Sequence, residues 1–155
     1  MSQMTDELAV RKSVVVRCSP EHAFATFTEG IGAWWPFDGH SLYDDKAETV
    51  IFEPRVGGRV YERSSEGEEG VWGTLTAWDP PYGFAMTWHP GRGPETAQAL
   101  ELRFSPEGEG TRVDLVHTGW ERLGDRMAEI GGHYDEGWNL VLGRFSEAAG
   151  RGGLR

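Results

Sequence analysis

The stretch GHYDEGWNLVLGRF, Gly132 to Phe145, decides how the chain is read. Extended towards its N-terminus, it belongs to an apolar series of Leu123, Met127, Ile130, Tyr134, Trp138, Val141 and Phe145, which steps by 4, 3, 4, 4, 3 and 4. That spacing is one stripe of an α-helix. The opposite side carries Arg126, Glu129, Asp135, Glu136, Arg144 and Glu147. About 25 residues at about 1.5 Å each give a helix of roughly 37 Å, long enough to cross a whole sheet. Gly131, Gly132, Gly137 and Gly143 interrupt it. Each costs about 1 kcal/mol against alanine in a helix interior. They are expected where another backbone, a bulky side chain or a ligand comes close, or where the helix kinks at Gly131-Gly132.

Upstream of this helix the apolar period is two. AVRKSVVVRCS places Val10, Val14 and Val16 on one row and reads as a strand. ETVIFEP, GGRVYERSS, GVWGTLTAWDPP, YGFAMTWHP, AQALELRF and TRVDLVHT follow between Glu48 and Thr118. Most are joined by the short turns EGEEG, Asp79-Pro80-Pro81 and SPEGEG. Leu100, Leu102 and Phe104 form one row of apolar positions, and Val113, Leu115 and His117 the matching row of the next strand. Between the first strand and the rest, Ser19-Pro20 is a helix start. Ala23, Phe24, Phe27, Ile31 and Trp34 then recur at helical spacing, with Gly30 and Gly32 splitting the segment in two and Pro36 ending it. Residues 37–47 read as an irregular loop. The fold class is therefore α+β: a curved antiparallel sheet of about seven strands, two short helices after the first strand, and one long C-terminal helix covering the apolar face.

At 155 residues, one domain over 1–155 is expected, ordered over roughly 9–149 with flexible tails. The net charge of −10 disfavours nucleic acid and anionic membranes as partners. No apolar run suits a signal peptide or a bilayer span, so a cytoplasmic location is expected. Cys18 is the only cysteine, which leaves no intramolecular disulfide and no cysteine-based metal cluster. His22, His40, His89, His117 and His133 show no metal-ligand spacing, and no phosphate-binding or nucleophile motif occurs. Neither a metal nor a cofactor is expected.

Seven tryptophans is a heavy load, and tryptophan lines pockets as well as cores. His117 lies on the apolar row of its strand and is expected to point at the helix. It reads as a core histidine satisfied by one hydrogen bond or as a donor inside a cavity. Trp120 stands at the same end. Trp72 and Trp88 sit on neighbouring strands, with Tyr134 and Trp138 on the helix stripe. Arg59, Tyr61 and Arg63 share one row of their strand, Val60 and Glu62 the other, and periodicity leaves open which row faces inward. Trp34 and Trp35 are adjacent, so from one helix only one of them is expected in the core.

These elements resemble the helix-grip fold of the START and Bet v 1-like (SRPBCC) superfamily. More narrowly, the chain resembles proteins described as homologues of the activator of heat-shock protein 90 ATPase. The resemblance rests on FEPRVGGRVYER, VWGTLTAWDPPYGFAMTW, LVHTGWERLG, and Gly137, Trp138 and Leu142 of the last helix, over roughly residues 10–149. It implies a hydrophobic cavity between sheet and helix. The expected ligand is a small hydrophobic or aromatic molecule, with Trp72, Trp88, His117, Trp120, Tyr134, Trp138, Tyr61 and Arg59 as candidate lining residues. It also implies two alternatives: a chaperone or other protein partner, and a cyclase- or hydrolase-type enzyme using His117, Tyr134, Tyr61, Arg59 and Glu62. Either a monomer or a homodimer fits.

Overall fold

In the computed structural model the described residues are 10–36, 46–89, 98–119 and 127–151, without the side chains of 127–135 and 151. The alternating segments form seven strands: β1 (Val10–Val16), β2 (Ala47–Phe52), β3 (Arg59–Ser64), β4 (Glu69–Asp79), β5 (Gly83–Trp88), β6 (Gln98–Glu107) and β7 (Gly110–Thr118). They pair antiparallel in the order β1-β7-β6-β5-β4-β3-β2. Each strand from β2 to β7 thus lies beside its sequence neighbour, and β1 returns to close against β7.

Helix α1 spans Pro20–Phe27. Its start follows from the sequence: the Ser19 side chain accepts from the His22 N–H at 3.1 Å, and Pro20 opens the first turn, where its missing N–H costs nothing. Ala23, Phe24 and Phe27 are its buried stripe. The second short helix is a single 3-10 turn, Ile31–Ala33. Helix α2 spans Met127–Arg151 and buries Trp138, Val141, Leu142, Phe145 and Ala149. This is the C-terminal part of the expected stripe, with Leu142 and Ala149 added at helical spacing. Leu123, and the side chains of Met127, Ile130 and Tyr134, lie outside the described residues. Helix α2 packs against β1 and α1, and reaches β5 and β7 through Trp138.

The inward rows of the sheet are apolar and in register. Leu100 pairs with His117, Leu102 with Leu115 and Phe104 with Val113, and all six are buried. Strand β4 departs from simple alternation. Its register slips against β3 near Trp72 and against β5 near Thr76. Each slip is a bulge, which re-aims the residues beyond it. Trp72 and Leu75 are consequently buried at a spacing of three, and Trp78 packs on Phe24 and Phe84 further along. At the first slip Gly73 lies so close to the Thr87 carbonyl that a Cβ would collide with it.

The glycines of α2 do not all serve close packing. Gly143 is exposed, and a Cβ there would meet nothing within 4 Å. Its position is open space on the solvent face, so the expectation of a close approach fails at that residue.

Candidate tryptophan-lined site

Two aromatic groups fill the space between sheet and helices. Phe24, Phe27, Trp34, Phe84, Phe104 and Phe145 make one, with centroids 5.1–6.3 Å apart among contacting pairs. The other consists of Trp35, Trp72, Trp88, Trp138 and His117. Trp35 meets Trp72 at 4.8 Å and Trp138 at 6.4 Å. Trp88 meets Trp72 at 5.3 Å, Trp138 at 5.2 Å and His117 at 6.0 Å. Tilted and edge-on pairs of this kind suit the ring quadrupoles.

Trp34 and Trp35 connect the two groups, their own centroids 6.0 Å apart. Both are buried, at 4% and 7% exposure, contrary to the expectation that only one would be. The chain leaves the 3-10 turn at Trp34, with φ −131° and ψ −13°, so the two side chains do not project from one helix. Trp34 packs on Phe27 and Phe145 and donates its indole N–H to the Thr26 carbonyl at 2.8 Å. Trp35 turns to the tryptophan group.

His117 is the polar centre of that group. The Trp138 indole N–H donates to His117 Nδ1 at 2.9 Å. Nδ1 is therefore the unprotonated nitrogen of a neutral imidazole, and Nε2 carries the proton. Nε2–H in turn donates to Gln98 Oε1 at 2.9 Å. Burial pushes the His117 pKa down from 6.5 to about 3, because the imidazolium would lose its hydration. The ring thus links β6, β7 and α2 as a neutral group at pH 7. With both nitrogens bonded, it matches the reading of a satisfied core histidine more closely than that of a ready acid or base.

The second polar group on this wall is Glu62. Strand β3 buries Val60, Glu62 and Ser64 on one row, and Tyr61 of the other row is buried as well, at 8% exposure, beside the Arg59 side chain. Glu62 is fully buried and accepts from the Trp72 indole N–H at 3.2 Å. Arg59 and Tyr61 point the other way. The Arg59 guanidinium, 42% exposed, pairs with Glu53 at 3.1 Å and Glu69 at 3.4 Å. It also lies 4.4 Å from the Tyr61 ring centroid, shielding the phenol from solvent. The Glu53 carboxyl is held below its ordinary range, first by the Arg59 backbone N–H and then by the Arg59 side chain.

Of the residues singled out from the sequence, the structure brings together Trp72, Trp88, His117 and Trp138. It places Arg59 and Tyr61 on the opposite face of β3. Trp120 and the Tyr134 side chain lie outside the described residues. Sequence reasoning passed over Gln98, although a polar residue on the Leu100–Phe104 row is the signal that could have found it. Among the described residues, no three His, Cys, Asp or Glu side chains gather to hold a metal ion, and no helix is long and apolar enough to cross a membrane.

The same architecture occurs in solved structures. An anthrahydroquino-gamma-pyrone synthase, Txn09, complexed with SUM, is 37% identical over 90% of this chain and 96% of its own, with a TM-score of 0.62. CalC, a self-sacrificing resistance protein from Micromonospora echinospora, is 29% identical over 95% and 97%, at 0.68. The Aha1 dimer from Colwellia psychrerythraea is 18% identical over 92% and 96%, at 0.67, a likeness of fold. Among curated proteins none matches. The model of the family Activator of Hsp90 ATPase homolog 1-like protein matches residues 17–150. A helix gripped by a seven-stranded antiparallel sheet, together with a family match over most of its length, makes this chain a member of the Activator of Hsp90 ATPase homolog 1-like family, on the Bet v 1-like helix-grip fold.

Proposed function

We propose that this protein binds a polycyclic aromatic small molecule between the sheet and α2, on the faces of Trp35, Trp72, Trp88 and Trp138. The observation that carries this reading is the gathering of four tryptophans, from the segment after the 3-10 turn, two strands and the long helix, around the buried side chains of His117 and Glu62. Small-molecule sites are built this way: mostly apolar and aromatic walls with a few placed polar groups. Flat aromatic ligands gain both area burial and ring stacking against such walls. The 37% identical synthase, whose printed name describes a fused-ring aromatic product, points to the same ligand class.

Binding would occur by parting rings that now touch, with the indoles re-stacking on the ligand. Trp35 is the most exposed of the four and follows a single 3-10 turn. The partner-protein reading gains no such support. Trp35, whose exposure would have favoured it, is buried, and among the described residues the exposed large hydrophobics are Val15, Val56, Tyr82 and Leu140, from four separate elements or turns.

The test is a thermal-shift titration with 2-hydroxyanthraquinone and 9,10-anthraquinone, with a fatty acid as the non-aromatic control. A ligand at 100 times its Kd adds about 2.7 kcal/mol, which raises Tm by several degrees in a domain of this size. A saturable shift with the tricyclic probes and none with the fatty acid supports the reading. No shift with either tricyclic probe overturns it.

A further inference from the structure

The four indoles of the site meet one another at a slant. The Trp35–Trp72, Trp35–Trp138, Trp72–Trp88 and Trp88–Trp138 contacts have interplanar angles of 50–75°. In inclined contacts the positive edge of one ring is turned towards the negative face of another, and tryptophan has the strongest such face among the aromatic side chains. A flat molecule that parts these rings stacks on their faces. It must then supply the positive potential that ring edges supply now. Among the described residues no Lys or Arg is buried to supply it instead. The Arg59 guanidinium lies over Tyr61, on the opposite row of β3 from Glu62. His117 stays neutral at pH 7, its pKa lowered to about 3 by burial. Two of the indoles are also enriched in electrons. The Trp72 N–H donates to Glu62 Oε1 at 3.2 Å, and the Trp138 N–H to His117 Nδ1 at 2.9 Å. An acceptor on an indole N–H polarises the bond and pushes density into the ring.

We infer that the site selects electron-poor ring systems: it takes a polycyclic aromatic molecule in its oxidised, quinonoid form and discriminates against the hydroquinone form of the same skeleton. The inference rests on the aromatic-ligand reading above. Two carbonyls conjugated with a ring system withdraw its π density and make its face positive, so it stacks on an indole as acceptor on donor. Uptake of two electrons and two protons turns both carbonyls into hydroxyls and restores an electron-rich ring. That ring presents a negative face to the negative faces of the indoles. The two forms share one outline, so burial of apolar area separates them little and the electrostatics of the faces separates them most. The association is non-covalent, and no bond forms or breaks. Its signature is a charge-transfer absorption band, whose wavelength follows the donor strength of the stacked side chain.

The experiment measures the affinity of wild type, Trp72→Phe and Trp138→Phe for 9,10-anthraquinone and for its dithionite-reduced hydroquinone, under anaerobic conditions, by quenching of tryptophan fluorescence. Absorption spectra of the quinone complexes are recorded alongside. Wild type is expected to hold the quinone at least tenfold more tightly than the hydroquinone, which lowers the potential of the bound couple by about 30 mV or more. Its complex should show a long-wavelength band absent from protein and probe alone. Phenylalanine is the weaker donor, so each variant should lose a severalfold part of the preference and move the band to shorter wavelength. Equal affinity of wild type for the two forms, or a preference for the hydroquinone, overturns the inference while leaving the aromatic-ligand reading in place, and needs no variant to fold. A wild-type preference without the band also overturns it. So does a preference of the same size in all three proteins, the mark of desolvating the hydroquinone O–H groups in any apolar pocket. No binding of either form to wild type overturns both readings.

Discussion

Trp138 donates its indole N–H to Nδ1 of His117 at 2.9 Å, both side chains buried, so the long helix is tied to the last strand by a directed bond inside an apolar interior. The bond also fixes the imidazole tautomer and aims Nε2–H at Gln98. Removing the donor leaves a buried acceptor without its partner, which costs about 1–3 kcal/mol beyond the lost packing. Trp138→Phe should therefore lower the urea midpoint substantially. In a His117→Phe background the same change should cost at least about 1 kcal/mol less, because the orphaned nitrogen is gone. Equal costs in the two backgrounds would show that packing alone joins helix and strand.

The neutrality of His117 sets a pH dependence. Its folded pKa, about 3, lies below the ordinary 6.5, so the unfolded chain binds the proton first as pH falls. Stability is then full above pH 6.5 and is lost progressively towards pH 3, at about 1.4 kcal/mol per pH unit. Between pH 7.5 and 5.5, wild type should lose about 1.4 kcal/mol more than His117→Gln, since the other titrating groups are common to both. Parallel stability curves for the two proteins would contradict the buried neutral imidazole.

Two glycines should respond oppositely to alanine. At Gly73 the new Cβ would press on the Thr87 carbonyl in the middle of the sheet, where backbone cannot yield cheaply. Gly143 sits on the open face of α2, where alanine has the better helix propensity, by up to about 1 kcal/mol. Thermal melts should show Gly73→Ala strongly destabilised and Gly143→Ala unchanged or stabilised.

Arg59→Ala tests the facing of β3. Arg59 and Tyr61 lie on the opposite row from Glu62, and the Arg59 guanidinium is 42% exposed, where ion pairs contribute little. The affinity for 2-hydroxyanthraquinone should be unchanged within error. A marked loss would place the ligand on the outer face of the sheet.

Much of the fold was legible because its signals are local. Period-two rows such as Leu100, Leu102 and Phe104, turn residues such as those of SPEGEG, and the Ser19-Pro20 start each lie within a few neighbouring positions. The inward aim of His117 was legible for the same reason, from the company of Val113 and Leu115. Its partners were not: Gln98 and Trp138 stand 19 and 21 residues away in sequence, and only the register of β6 on β7 and the seat of α2 bring them to the ring. The rows of β3 were ambiguous because the buried row carries Glu62 and Ser64 and the outer row carries Tyr61, so polarity does not separate them. The Trp34-Trp35 pair departs from the expectation of one buried ring because the chain leaves the helical conformation at Trp34, a break that the helical spacing of the residues before it does not signal.

The central claim is that an aromatic ligand enters among Trp35, Trp72, Trp88 and Trp138. The most direct measurement is the set of indole N–H resonances in a proton–nitrogen correlation spectrum, assigned by single Trp→Phe variants and followed while 2-hydroxyanthraquinone is added. The account predicts saturable shifts at Trp35, Trp72, Trp88 and Trp138, and little change at Trp78, which packs on Phe24 and Phe84 away from that group. Shifts confined to Trp78, or a spectrum unmoved at saturating probe, would contradict it.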